Sequence, residues 1–318
     1  MESARKARIL GGRELRIGLA AAALLSFLGP ATVPAQEGPV IHTEDVTLFY
    51  RIYEAAGGHP TADQLQRDYL DPGSEGLHQF AKLRRVTGTA IADAIAKRPE
   101  IYQDARRCLA VLPGVKTRLT AAFAKLAQLD PEANFKAPIV IVVGRGKPVG
   151  MTDASGVAIG LEALCASNFM DPNVEDRFVH TIAHEYAHIQ QPGADDTDRP
   201  GGPTVLFASL IEGGADFVAE LISGGVGAYQ FKALTKGHEA EIESAFVPDE
   251  DSKDLSKWLY NGLGTPEHPG DLGYWVGYRI VKSYYEHAPD KRRALRDILA
   301  MKDPKAFVAK SGWSPAAQ

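Results

Sequence analysis

Two histidines four residues apart, with a glutamate beside the first, occur at His184-Glu185-Tyr186-Ala187-His188. On a helix, positions i and i+4 lie on one face, so both imidazoles point at one spot and can share a cation. Two neutral imidazoles suit Zn²⁺, whose catalytic sites take three protein ligands and keep one position open. Glu185 projects beside that spot, where it can take a proton from metal-bound water instead of binding the metal. The motif lies among Phe178, Val179, Ile182, Ala183 and Tyr186, the apolar spacing of a helix with a buried face.

A third ligand must come from elsewhere. The long metzincin form needs a glycine three residues after the second histidine and a histidine six after it. Gln191 and Ala194 stand there instead. The next candidate is Ile211-Glu212-Gly213-Gly214-Ala215-Asp216, where Glu212 and Asp216 again share one helical face. Glu212 can reach the metal while Asp216 hydrogen-bonds a ligating imidazole and fixes its tautomer. The reverse assignment, Asp216 as ligand, stays open, as does a pair of solvated carboxylates. Each helical glycine costs about 1 kcal/mol relative to alanine, so Gly213 and Gly214 predict a close approach, here to the helix carrying His184 and His188. His180 sits one turn before His184. The rise from His180 to His188 is about 12 Å, too far for one metal, so His180 reads as a packed or supporting histidine.

The elements that must position these groups are mostly helical. Asp45 to about Leu129 carries helical spacing, as in Val46, Phe49, Tyr50 and Tyr53, with helices expected near 76–96, 99–110 and 115–129. The β-branched run Ile139–Val143 predicts a buried strand and 156–161 a second, with a loop around Gly146, Pro148 and Gly150. Strand 156–161 is a candidate edge for pairing with extended peptide, or else an interior strand. Asp171-Pro172 is read as the cap and first residue of the motif helix. A loop at 195–202, a helix near 204–223 and tail helices near 226–246, 271–287, 290–301 and 303–310 follow. The fold class is therefore α+β and mainly helical, with a small β-sheet.

The 318 residues carry a net charge of -5, which excludes a nucleic-acid partner on electrostatic grounds. Arg5, Lys6, Arg8, Arg13 and Arg16, the short apolar run Ile17–Leu28 and Val33-Pro34-Ala35 read as a bacterial signal peptide cut near Ala35. That run is short of the roughly 20 residues a span needs. The mature chain is thus expected in the periplasm or secreted, without stable membrane insertion. Cys108 and Cys165 can form one disulfide there or remain two buried thiols. The expected organisation is a signal peptide over 1–35, a linker over 36–44, a helical region over 45–135 and a catalytic domain over 136–318.

The order strand, His-Glu-x-x-His helix, Glu-x-x-x-Asp helix is similar to gluzincins, the thermolysin-like metallopeptidases. With Gly273-Tyr274-Trp275-Val276-Gly277-Tyr278-Arg279-Ile280-Val281, the chain resembles a bacterial family of predicted zinc-dependent proteases. The resemblance implies a zincin-like domain over 136–318 and hydrolysis of a peptide or protein substrate by zinc-activated water with Glu185 as general base. It also points to the 273–281 segment for an oxyanion electrophile: Tyr274 or Tyr278, with His268 and Arg279 in reserve. Two other functions remain beside it. One is a periplasmic binding or assembly factor with a zincin-like fold, against which an intact Glu185 argues. The other is a zinc hydrolase of a non-peptide amide or ester.

Overall fold

The computed structural model describes residues 38–167, 170–193, 202–225, 228–262, 264–265 and 268–315. The signal peptide expected at 1–35 and nearly all of the loop expected at 195–202 lie outside these residues. The chain begins with strand β1 (Ile41–His42), then α1 (Glu44–Ala55) and α2 (Ala62–Gln64), which continues as a π-helical turn over Leu65–Leu70. Helices α3 (Glu75–Arg84), α4 (Gly88–Lys97), α5 (Pro99–Leu109) and α6 (Leu112–Leu129) precede strands β2 (Ile139–Val142), β3 (Gly150–Asp153) and β4 (Gly156–Gly160). Then come α7 (Leu161–Cys165), α8 (Val174–Ile189), α9 (Val205–Ser223), α10 (Phe231–Leu234), α11 (Glu239–Phe246), α12 (Leu272–His287), α13 (Lys291–Ala300) and α14 (Pro304–Ser311). The class is α+β and mainly helical, with one small mixed sheet. Residues 35–318 form one compact unit. Among the described residues, no helix is long and apolar enough to cross a membrane.

The sheet order is β1-β2-β4-β3, with β1, β2 and β4 parallel and β3 antiparallel to β4. Every residue of β2 is buried, as its unbroken β-branched run requires of an interior parallel strand. Three expectations change here. The 36–44 segment is no mere linker, because Ile41 and His42 pair with Ile139 and Val140. Strand β4 is interior, and the edge is β3, where a loop was expected. Strand β3 was not legible because Gly150, Met151, Thr152 and Asp153 are half-exposed and lack β-branched alternation. It forms only by folding back on β4 through a tight turn, in which Asp153 Oδ1 accepts from the Ser155 amide at 2.7 Å, an Asx turn.

The first helices pack on one another through Phe49, whose ring contacts Tyr50, Tyr53, Tyr69 and Tyr102. Buried polar groups then hold the end of β2. The Tyr69 hydroxyl donates to the Val143 carbonyl at 2.8 Å and accepts from the Val143 amide at 2.9 Å. Glu162 Oε1 accepts from the amides of Gly144 and Gly146, and burial raises the pKa of its carboxyl. The single helix expected over 76–96 is two, α3 and α4, because Arg85 turns left-handed (φ 52°) and Thr87 caps a new helix.

Cys108 on α5 and Cys165 at the end of α7 are joined as a disulfide, with Cα atoms 6.2 Å apart. The bridge closes a sequence separation of 57 residues. Cys108→Ala/Cys165→Ala should therefore lower unfolding free energy by about 2–4 kcal/mol. Urea denaturation with and without reductant checks this. A reductant-insensitive wild type would show that the bridge contributes nothing.

Candidate metal centre

Helix α8 is capped by Asn173, whose side chain accepts from the Asp176 amide. The cap expected at Asp171 is displaced by two residues. Three anchors then fix the helix. Arg177 donates to the carbonyls of Leu164, Cys165 and Asp171. Tyr186 is fully buried against Phe123 and Phe135 and donates to the Ala137 carbonyl at 3.0 Å. The Thr152 hydroxyl on β3 lies 2.6 Å from Glu185 Oε2 and 2.9 Å from the Glu185 carbonyl oxygen. With Tyr186 inward, His184 and His188 face the other way, toward α9.

Helix α9 starts at the Thr204 cap and ends at Gly224 in the left-handed region (φ 73°). Its first amides are satisfied from outside: those of Val205 and Leu206 donate to the carbonyls of Ser252 and Glu250. Nearly every residue of the helix is buried, Glu212 and Asp216 included. The glycines do serve a close approach, but to α12 and not to the histidine helix. A Cβ on Gly213 would lie 2.0 Å from the Tyr278 nitrogen, and one on Gly277 would lie 1.7 Å from the Ser209 carbonyl oxygen. A Cβ on Gly214 would lie 3.3 Å from the Gln191 amide nitrogen, a tight contact, and 3.5 Å from Ile298.

Together these helices bring His184, His188 and Glu212 to one point. The two Nε2 atoms are 3.2 Å apart, and each lies 3.4 Å from Glu212 Oε2. Tetrahedral zinc with bonds of about 2.0–2.1 Å holds its ligand atoms about 3.3 Å apart. The triangle therefore has the dimensions and the donor set of a zinc centre. Supporting partners are in place. Asp216 Oδ1 is 2.8 Å from His184 Nδ1 and 3.3 Å from His180 Nε2. Gln191 Oε1 is 2.7 Å from His188 Nδ1, while its amide nitrogen donates to the Ile211 carbonyl. Such outer contacts fix the tautomer, leaving Nε2 for the metal.

The two imidazoles and the two carboxylates are coupled electrostatically. Burial pushes His184 down, but Asp216 and Glu212 outweigh it and hold its pKa well above the usual value. His188 is likewise raised, by Glu212 against burial. Burial opposes ionisation of Glu212, yet the two imidazoles hold it far below the ordinary carboxylate range. Asp216, buried beside His184 and His180, is depressed to about 2. Metal binding displaces protons from such imidazoles.

The tyrosines divide. The Tyr274 ring is stacked 6.5 Å from His184, so it borders the centre. Tyr278 does not serve it: its hydroxyl donates to Glu220 Oε2 at 2.6 Å and accepts from Lys282. Arg279 is bound to Glu243 and lies over Trp275, and His268 is exposed and exchanges backbone hydrogen bonds with Thr265. Sequence reasoning missed two residues. Gln191 was noted only for not being glycine, although a side-chain amide three residues past His188 is one turn away. Tyr260, whose hydroxyl donates to Glu212 Oε1 at 2.9 Å, lies 48 residues beyond it with no spacing to announce it.

Residues 242–315 match the family of gliding motility protein GldB. That span is under a quarter of the chain. It takes in α12, α13 and α14, and with them the Gly273–Val281 segment on which the gluzincin resemblance partly rested. The match corrects that resemblance: the similarity is to a gliding motility protein and not to a protease family. The expectation of a zinc metallopeptidase, with its peptide-hydrolysing activity, is withdrawn with it. The three candidate ligands lie outside the matched span, and Tyr260, Tyr274 and Tyr278 lie within it. No curated protein and no solved structure matches the chain.

Proposed function

We propose that this chain is a binding or assembly factor of the bacterial cell envelope, associated with gliding motility and built around one zinc ion. The observation that carries the function is the similarity of residues 242–315 to gliding motility protein GldB. The disulfide between Cys108 and Cys165 agrees with an oxidising, extracytoplasmic location. Zinc on His184, His188 and Glu212 would cross-link α8 to α9 in a zincin-like arrangement, a structural use of the site that needs no general base.

An intact Glu185 then has a different explanation. Its carboxylate accepts from Thr152 and lies where a Cβ on Gly150 would come within 2.5 Å of Oε1. It tethers the motif helix to the edge strand. Glutamine at 185 keeps an oxygen for the Thr152 hydroxyl, so the tether survives that change while a general base does not.

The test uses cells of the producing bacterium that lack this protein. Surface spreading should be lost and should return with wild-type protein or with Glu185→Gln. It should stay absent with His184→Ala/His188→Ala. A Glu185→Gln protein that accumulates normally but fails to restore spreading would sink the assembly reading.

A further inference from the structure

Tyr260 is 64% exposed, yet its hydroxyl is placed on a nearly buried carboxylate. Its backbone is in the left-handed region at φ 59°, which a bulky residue enters only when its surroundings impose it. The surroundings do so. Trp258 and Leu259, immediately before it, are buried, and the Trp258 indole donates to Asp249 at 2.9 Å. Immediately after it, Asn261 and Asp271 exchange two hydrogen bonds: Asn261 N to Asp271 Oδ1 at 2.9 Å and Asp271 N to Asn261 Oδ1 at 2.6 Å. The ring stands edge-on to Tyr274 at 6.2 Å. The loop thus presents one phenol at a fixed place.

That place matters because Glu212 uses its oxygens for different purposes. Oε2 faces both imidazoles at 3.4 Å. Oε1 accepts from Tyr260 at 2.9 Å. A free glutamate rotates about its last bond and can offer a metal either oxygen or both. We infer that Tyr260 is the positioning residue of the metal centre: by holding Oε1 it makes Glu212 a one-oxygen ligand, with Oε2 kept toward the two imidazoles. The inference rests on the zinc reading above and adds a residue to it that the helical motifs do not contain.

The test measures zinc affinity of the full mature chain by competition with a chromophoric chelator, for wild type, Tyr260→Phe and Tyr278→Phe. Tyr260→Phe should weaken zinc about 10- to 100-fold, the usual loss for a partner of a ligand. Tyr278→Phe, whose hydroxyl serves Glu220, should leave affinity unchanged. Melting of the metal-free Tyr260→Phe protein should match that of metal-free wild type. Substitution with Co²⁺ should give intense tetrahedral absorption in wild type and a weaker band in Tyr260→Phe, as a freed Glu212 adds its second oxygen. No zinc binding by wild type would defeat the zinc reading itself. Tight wild-type binding with unchanged affinity in Tyr260→Phe would overturn this inference alone. A loss shared by Tyr278→Phe, or matched by a lowered metal-free melting temperature, would reassign Tyr260 to a structural role and overturn it too.

Discussion

His188→Ala should reduce zinc affinity by roughly two to four orders of magnitude. Structural zinc sites bind with roughly 10–16 kcal/mol; shared over three or four ligands, that is about 3–5 kcal/mol each. Glu212→Ala belongs in the same range, because it removes the carboxylate oxygen that lies 3.4 Å from both Nε2 atoms. Gln191→Ala, which leaves all three ligands and removes only the partner of His188 Nδ1, should cost about 10- to 100-fold. A ligand that binds only the native state raises its stability with concentration. Added zinc should therefore raise the melting temperature of wild type and not of His188→Ala. Metal content of the purified proteins, with thermal melting across a zinc titration, reads both effects. Equal zinc content in wild type and His188→Ala would place the metal somewhere else.

Gly277→Ala should destabilise the fold by more than roughly 4 kcal/mol, beyond the range of an ordinary core substitution. The added methyl would meet the Ser209 carbonyl oxygen at 1.7 Å, and that oxygen is part of the α9 backbone. No side-chain rotation relieves such an overlap, so the two helices must separate, and packed interiors resist this. Gly213→Ala attacks the same crossing from the other side, at 2.0 Å from the Tyr278 nitrogen, and should behave alike. Gly214→Ala is the contrast. Its nearest neighbours are the Gln191 side chain at 3.3 Å and Ile298 at 3.5 Å, side-chain atoms that need yield only a few tenths of an ångström, and alanine favours the helix by about 1 kcal/mol. Near-neutral stability is expected there. Circular dichroism melting of the three variants decides the matter. If Gly277→Ala and Gly214→Ala melt together, the α9–α12 crossing is not what holds Glu212 in place.

Much of the centre was legible in the chain itself because helical periodicity is local. Residues four apart share a face wherever the helix goes, so His184 with His188, and Glu212 with Asp216, could be paired before any fold was known. The helices near 204–223 and 271–287 were legible for the same reason, each within a residue or two of α9 and α12. The β-branched run at 139–143 likewise announced a buried strand. What no local pattern contains is which face meets which. The need of Gly213 for a close neighbour was readable, but that the neighbour is Gly277 on α12, and not the histidine helix, depended on how three helices stack.

Strand β3 escaped notice because its residues are made a strand by pairing with β4. Tyr260 and Tyr278 show the same limit in opposite directions. Tyr278 looked suited to the centre yet lies on the Glu220 side of α12, whereas Tyr260 carried no signal and reaches the third ligand. By itself, the sequence determined the types of the candidate ligands and the helices that carry them, since both follow from residue chemistry and a fixed 3.6-residue turn. Only the tertiary structure decided the distances between those helices and the loop that closes on them, because contacts between residues far apart in the chain arise from packing and not from spacing.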